Sequence, residues 1–256
     1  MLSTYVDIVT ISRNSDSVIL KTLESVSSQR YDYINHIIVD GKSTDKSLEV
    51  IHNFSHKKKI YIHSQLPLGI SNAFNTGLSK SCGELVIFLN SGDRFVNDSV
   101  VKQIVDSYHA KSWLWAVGET ISVSRRGYLK RYVRQHNKWE QKLFWYRNPI
   151  CHQSTIFSRK LIEQVGLYNE QLSLGMDYDF NIRCSLVSDP LLLYFPISYY
   201  DTCGVSSRRV FRSYLMQSEI RKKYFPLSIT RNLIIESIGF LKALQRFLMI
   251  PIKFFL

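Results

Sequence analysis

Within about the first ninety residues, short apolar runs and segments of helical spacing alternate four times. Val6 to Ile11, His36 to Val39, Ile60 to His63 and Glu84 to Leu89 read as strands, short and rich in β-branched residues. Between them, Val18, Leu20, Leu23 and Val26 recur at helical spacing, and Leu48, Val50 and Ile51 mark a second helix. Ile70 to Lys80 forms a third, with a small-residue face at Ala73 and Gly77. Asn14 to Ser17 can cap the first helix, and Ser43 or Thr44 the second. This alternation predicts a mostly parallel central sheet flanked by helices, joined by right-handed crossovers.

Two of these strands end in acids. Ile37-Ile38-Val39 runs into Asp40-Gly41-Lys42-Ser43-Thr44-Asp45, and Leu85 to Leu89 runs into Asn90-Ser91-Gly92-Asp93. In open α/β sheets ligands meet the carboxyl ends of strands, so both acids stand where a site forms.

After Asp93 the pattern changes. Val100 to Tyr108 reads as a helix, and Trp113 to Ser124 with Tyr128 to Val133 as strands around a turn at Arg125-Arg126-Gly127. Ser154 to Phe157 is another short strand, and Arg159 to Val165 and Asp177 to Leu186 are helices. This half is expected to complete the same sheet and wall the far side of a cleft. No linker, repeat or low-complexity tract interrupts it. The reading is one domain over 1–204, in halves 1–95 and 96–204, and a tail over 205–256.

The chain has 256 residues, 45% of them hydrophobic, enough to bury a sizeable core and to exclude disorder. Its formal net charge is +12, unevenly placed. From Val205 to Leu256, ten basic residues face only Glu219 and Glu236, which leaves +8 in the tail. The same tail is rich in Phe, Leu and Ile. No charge-free run there reaches the ~20 residues of a spanning helix. A basic, apolar tail suits an anionic lipid surface, with a docking helix on the domain as the alternative. No nucleic acid is expected, because the aromatic-Gly-aromatic pattern of RNA-binding sheets is missing. Cys82, Cys151, Cys184 and Cys203 have no zinc or redox spacing and read as reduced thiols. The N-terminus enters a strand at once, so no signal peptide is expected.

Each candidate residue has a structural alternative. Asp40 can accept from a base N–H or cap the next helix. Asp93 can hold a divalent cation or form an ordinary turn. Asp177 and Asp179 open a helix, where acids favour the dipole, yet either can serve as a general base. His152, in Cys151-His152-Gln153, faces a cleft or a core.

Their order and spacing are more specific. Val6-Asp7-Ile8-Val9-Thr10-Ile11-Ser12-Arg13-Asn14 resembles the opening strand of family 2 glycosyltransferases with the GT-A fold, and Leu23 to Gln29 their first helix. Val39 to Asp45 resembles their nucleotide-binding Asp-Gly-x-Ser-Thr-Asp segment, and Gly69 to Gly77 the helix before the metal strand. Phe88 to Asp93 is similar to their Asp-x-Asp variant. His152-Gln153 through Gly166 to Glu170 and on to Met176-Asp177-Tyr178-Asp179 resembles the acceptor segment that ends in the catalytic acid. The resemblance covers about residues 5 to 190. It departs at Asn90 and Gly92, which replace acids of the metal motif, and at Met176, which replaces the first acid of a Glu-Asp pair.

The resemblance implies a GT-A fold, with a nucleotide-binding half 1–95, an acceptor-binding half 96–204 and C-terminal amphipathic helices. It implies nucleotide contacts at Thr10, Ser12, Asn14, Asp40, Asn72, Asn90 and Ser91. Asp93 would hold Mg²⁺ or Mn²⁺ and Asp177 would act as base. His152, Gln153 and Asp179 would stand on the acceptor side or behind it, and Arg208 or Arg209 would meet the diphosphate. The implied activity is inverting transfer of a hexose, from a UDP-sugar or other nucleotide-diphosphate sugar, to a sugar hydroxyl. The expected acceptor is an undecaprenyl-diphosphate-linked saccharide in polysaccharide or O-antigen assembly. The expected place is the cytoplasmic face of the plasma membrane, with the tail on inner-leaflet anionic lipids. The rival readings are a catalytically silent nucleotide-sugar-binding module, favoured by the departures, and a dinucleotide oxidoreductase. The latter lacks a Gly-x-Gly-x-x-Gly turn, since Ser12 to Asp16 stands there.

Overall fold

The strands Val6–Ser12, Ile34–Asp40 and Leu85–Phe88 are buried on both faces, as in the middle of a helix-covered parallel sheet, and Lys59–Ser64 forms its partly exposed edge. β1 (Val6–Ser12), β2 (Ile34–Asp40), β3 (Lys59–Ser64) and β4 (Leu85–Phe88) alternate with α1 (Ile19–Ser27), α2 (Ser47–Asn53) and α3 (Ile70–Lys80). Then follow β5 (Arg94–Phe95), α4 (Val100–Lys111), β6 (Trp115–Val123), β7 (Leu129–Val133), β8 (Thr155–Ser158), α5 (Arg159–Val165), α6 (Met176–Val187) and β9 (Leu191–Asp201). The tail forms α7 (Val210–Tyr224) and α8 (Ile229–Leu248). The structure, a computed structural model, describes residues 3–123, 129–133, 139–201 and 209–248. The turn at Arg125-Arg126-Gly127, Cys203, Arg208 and the end of the tail lie outside the described residues.

All nine strands join one sheet in the order β3-β2-β1-β4-β8-β6-β9-β5, with β7 paired to β6. The β1–β2, β2–β3 and β1–β4 pairs are parallel, as the alternation requires. The second half does complete the sheet, but β8 enters antiparallel between β4 and β6, and β6 pairs in parallel only with β9. The sheet is therefore mixed rather than mostly parallel. β9 crosses most of the second half and carries Pro196 at an irregularity in its register with β6. There a missing N–H is tolerated.

Period-two alternation sorts side chains onto two faces. Val9, Val86 and Phe88 join a core with Phe74 and Leu78 of α3 and with Tyr178, Phe180 and Ile182 of α6. Val6, Ile8, Leu85 and Ile87 join a second core with Val26 of α1 and Val100, Val101 and Ile104 of α4. α7 packs on the first core through Ile220, Met216 and Tyr224. Among the described residues, no helix is long and apolar enough to cross a membrane.

Candidate active site

The carboxyl ends of β2, β1 and β4 lie side by side, Ser12 opposite Asp40 and Val9 opposite Phe88. Asp40 is fully buried. Its carboxylate accepts from the Ser43 backbone N–H at 2.8 Å and from the Ser43 hydroxyl. The Ser43 hydroxyl in turn accepts from the Asn14 N–H at 2.9 Å, and Asn14 Oδ1 accepts from the Thr44 N–H at 2.9 Å. The Gly41 N–H donates to the Ser12 carbonyl at 2.8 Å. Asn14 and Lys42 both adopt positive φ, 50° and 48°, to make this fit. The loops after β1 and β2 are thus one hydrogen-bonded unit.

Asp40 consumes the groups expected to cap α2. That helix starts one turn later at Ser47, whose N–H and hydroxyl both donate to Asp45. Neither Ser43 nor Thr44 is its cap. Ser12 is bonded to the Ser15 hydroxyl at 2.7 Å. Thr10 lies below the edge, fully buried, with its hydroxyl donating to the Leu89 carbonyl at 2.8 Å and facing His36 Nε2 at 2.9 Å.

The turn after β4 is built on α1. Thr22 accepts from the Gly92 N–H at 2.9 Å and donates to the Asp93 carbonyl at 2.7 Å. Gly92 takes φ +95°, a conformation that other residues avoid. Ser91 donates both its N–H and its hydroxyl to the Ile11 carbonyl. Asp93 is 4% exposed. Asn90 Oδ1 is buried with no hydrogen-bond partner among the described residues.

Asp177 lies in the first turn of α6 and is partly buried. Burial pushes its carboxyl above the usual range, against the N–H groups of Tyr178 and Asp177 itself and the Asn148 amide. Asn148 Nδ2 donates to Asp177 Oδ2 at 2.9 Å. Cys151 links the two acidic sites. Its thiol is pushed up to about 11, first by burial and then by the carboxylates of Asp93 and Asp177. Both carboxylates add to that rise.

The neighbouring residues support this region from behind. His152 is buried, stacked on Phe88 at 4.9 Å and tilted against Phe74 at 5.1 Å. Burial holds it neutral, with its pKa lowered to about 3. Gln153 is buried and accepts from the Cys151 thiol at 3.2 Å. Asp179 is 2% exposed and fully engaged, by Arg183 Nε at 2.9 Å and the Tyr224 hydroxyl at 2.8 Å. Asn72 bridges Gln65, at 2.9 Å, and Glu170, at 3.0 Å, which ties α3 to the 166–172 segment. Arg209 is exposed just before α7.

Sequence reasoning missed Asn148, Cys151 as a bridge, and Glu170. The Asn148-Pro149 dipeptide is a turn signal beside Cys151 that could have flagged the first. Glu170 accepts from Asn72 and also from Asn75 at 2.7 Å, two long-range partners that no local pattern encodes.

No group of three or more His, Cys, Asp or Glu that could hold a metal occurs among the described residues. What is present is one carboxylate, Asp93, and the unpartnered Asn90 amide oxygen in the same turn. Hard oxygen donors of this kind suit Mg²⁺ or Mn²⁺, and Mg²⁺ is commonly held by one or two carboxylates plus substrate phosphates. The residues fit a cation shared with a diphosphate.

A mixed sheet of this order, with its acids along one edge, is the GT-A-like architecture of a glycosyltransferase. Staphylococcus aureus TarS 1–349, solved with UDP-GlcNAc, superposes with TM-score 0.68 at 16% identity, over 94% of this chain and 72% of that one. A mannosyltransferase of Pyrobaculum calidifontis, solved with GDP-Man and Mn²⁺, superposes with TM-score 0.66 at 15% identity, over 96% and 73%. The chain belongs to glycosyl transferase family 2, whose model matches residues 7–166. It is 29% identical over 230 residues to an uncharacterized glycosyltransferase of Mycobacterium tuberculosis, covering 86% of this chain and 85% of that protein. It is 26% identical over 211 residues to a PGL/p-HBAD biosynthesis glycosyltransferase of Mycobacterium bovis, covering 79% of each. The protein is a glycosyltransferase.

Proposed function

We propose that the protein transfers a hexose, with inversion, from a UDP-sugar to a sugar hydroxyl of a lipid-linked acceptor. The observation that carries this reading is the shared edge of β2, β1 and β4, where buried Asp40 and the turn that holds Asp93 stand side by side. Asp40, Ser43 and Asn14 hold the base and ribose, with Ser12, Ser91 and Asn72 lining the path and Thr10 bracing it from beneath. Asp40 and the turn after β4 lie about two strand spacings apart, roughly 10 Å, a length that suits a nucleoside diphosphate. Asp93 and Asn90 would hold Mg²⁺ or Mn²⁺, which when bound offsets negative charge on the diphosphate. Arg208 or Arg209 is the candidate from the tail for the same charge.

Asp177 takes the proton of the acceptor hydroxyl as its oxygen attacks the anomeric carbon. The carbon–oxygen bond to the phosphate breaks, and the nucleoside diphosphate leaves with the electron pair on the opposite face. A single displacement of this kind inverts the anomeric centre. A raised carboxyl makes a stronger base than a free aspartate. Asn148 fixes its orientation.

α8 turns Ile229, Leu233, Ile234, Leu241, Leu244 and Leu248 outward, while Phe240 and Phe247 pack half-exposed on Phe211 of α7 and Ile235 and Ala243 are buried against the protein. On a helical wheel Arg231 and Lys242 lie together beyond one edge of this stripe, with Arg231 over the Trp145 ring. The docking and membrane readings of the tail are compatible, since α7 docks and α8 offers the apolar face. The occupant that matches apolar residues edged by cations is an anionic lipid surface. This favours a peripheral enzyme at the cytoplasmic face of the plasma membrane, working on a lipid-diphosphate saccharide such as an undecaprenyl-linked one in cell-surface polysaccharide assembly.

The absence of a three-residue metal cluster among the described residues is the observation favouring a silent sugar-nucleotide-binding module. One experiment separates the two readings. A panel of UDP-sugars is tested against a synthetic lipid-diphosphate acceptor, with and without EDTA. Transfer from any UDP-sugar supports the enzyme, whereas UDP binding without product supports the module.

A further inference from the structure

The tail touches the helix that carries Asp177. Gly175, the N-cap of α6, lies against α7. A Cβ placed there would meet Ile220 Cδ1 at 3.1 Å and Gln217 and Met216 at 3.8 Å. One turn further along α6, Asp179 accepts from Tyr224, the last residue of α7. The other oxygen of Asp179 accepts from Arg183, whose guanidinium also donates to the Val165 and Leu167 carbonyls at 2.8 and 2.9 Å. The ring of Phe180 stacks at 4.2 Å on Tyr168. Three of these contacts anchor α6 within the domain, and the Tyr224 hydroxyl is the polar contact that reaches it from the tail.

α7 is in turn locked to α8. Glu236 of α8 accepts from Tyr214, Ser218, Arg221 and Lys222 of α7. Burial opposes ionisation here, but those hydrogen bonds and the Arg221 charge bring the carboxyl down to about 2. Gly239 lets the Tyr214 ring approach α8 closely, since a Cβ there would meet its Cε2 at 2.5 Å. The outward apolar face of α8 therefore connects through Glu236, α7 and Tyr224 to the first turn of α6.

We propose that Tyr224 and Asp179 are positioning residues that seat Asp177, so that the α7–α8 hairpin is part of the frame of the active site as well as its anchor. The Asp179 carboxylate, taken up by Arg183 and Tyr224, sets where the neighbouring acid stands. This rests on the reading of Asp177 as base, and the test keeps the two apart.

Tyr224→Phe keeps the ring and removes only the hydroxyl, and Asp177→Asn serves as the companion variant. The full-length proteins are compared without vesicles, by UDP release from UDP-glucose, UDP-galactose and UDP-N-acetylglucosamine, and by peptide-resolved alkylation of Cys151 with iodoacetamide at pH 9. Cys151 senses the Asp177 carboxylate, and its alkylation rate follows its thiolate fraction. Asp177→Asn is expected to speed Cys151 alkylation. Tyr224→Phe is expected to change the alkylation rate about twofold or more and to lower kcat about tenfold, with KM for the donor and the melting temperature unchanged. A Tyr224→Phe protein with wild-type Cys151 alkylation and wild-type kcat overturns the inference. Asp177→Asn with full turnover overturns the base assignment instead, whatever Tyr224→Phe does. Alkylation alone decides the matter if none of the three donors is turned over.

Discussion

The two halves of the sheet build their parts of the site differently. In the half proposed to bind the nucleotide, Asp40 is satisfied by a residue three positions along, and its loop is closed by Asn14 from the loop after β1. In the acceptor half, Asp177 is oriented by Asn148, 29 residues away, and its helix is braced by Tyr224, 45 residues from Asp179. The first arrangement has a local partner for its acid, Ser43, within two neighbouring loops that cross-link each other. The second depends on segments brought together by the whole fold. Damage to the first half should weaken binding locally, whereas the second half should also respond to changes far from the reacting atoms.

The largest effect is expected at Asp177. Asp177→Asn should lower kcat by about 10²- to 10⁴-fold while UDP affinity by calorimetry stays near wild type. As the proposed base, Asp177 must be ionised, and burial raises its carboxyl. The rate should therefore fall on acidification through a pKa above the ordinary 3.8, with an acid limb absent from the residual rate of the variant. Asp40→Asn makes the contrast. It should weaken UDP binding about tenfold, roughly 1.4 kcal/mol, with a smaller change in kcat.

The tail should separate anchoring from stability. Leu241→Glu with Leu244→Glu places charge in the exposed stripe of α8, where both leucines face outward. Flotation with anionic vesicles should drop about tenfold or more, with the melting temperature unchanged. Glu236→Ala should do the reverse. It strands Arg221, whose side chain is 6% exposed, and should cost about 2 kcal/mol, read as a lower melting temperature.

The smallest effect at neutral pH concerns the core, since it appears only on acidification. His36 and His152 are held at about 3 in the folded state against an ordinary 6.5. Their depressed values give stability that is complete above pH 6.5 and is lost as pH falls toward 3. Each contributes a slope of about 1.4 kcal/mol per pH unit across that window. His152→Gln should remove one proton from the slope seen in urea titrations between pH 6 and 4.

The same contrast explains what could be read from the sequence. β1 to β4 are continuous apolar runs whose partners follow in order, so the parallel half and the placement of Asp40 and Asp93 at its edge were legible. β9 was not, because Pro196 breaks the strand pattern and its partner β6 lies far back in the chain. The antiparallel entry of β8 was equally hidden, since nothing in Thr155–Ser158 says which neighbour it meets. By spacing alone Asp177 and Asp179 look alike, and the resemblance that set Asp177 apart has its physical counterpart in their contacts, which give Arg183 and Tyr224 to one and Asn148 to the other.

The most direct test of the central claim is a crystal structure with Mn²⁺ and an unreactive UDP-sugar such as a 2-deoxy-2-fluoro donor. The account predicts uracil against the Asp40 loop, the diphosphate at Asp93 and the anomeric carbon facing the Asp177 carboxylate from the side opposite the phosphate. A sugar bound with its anomeric carbon turned away from Asp177, or a uracil seated elsewhere than the loops after β1 and β2, would contradict it.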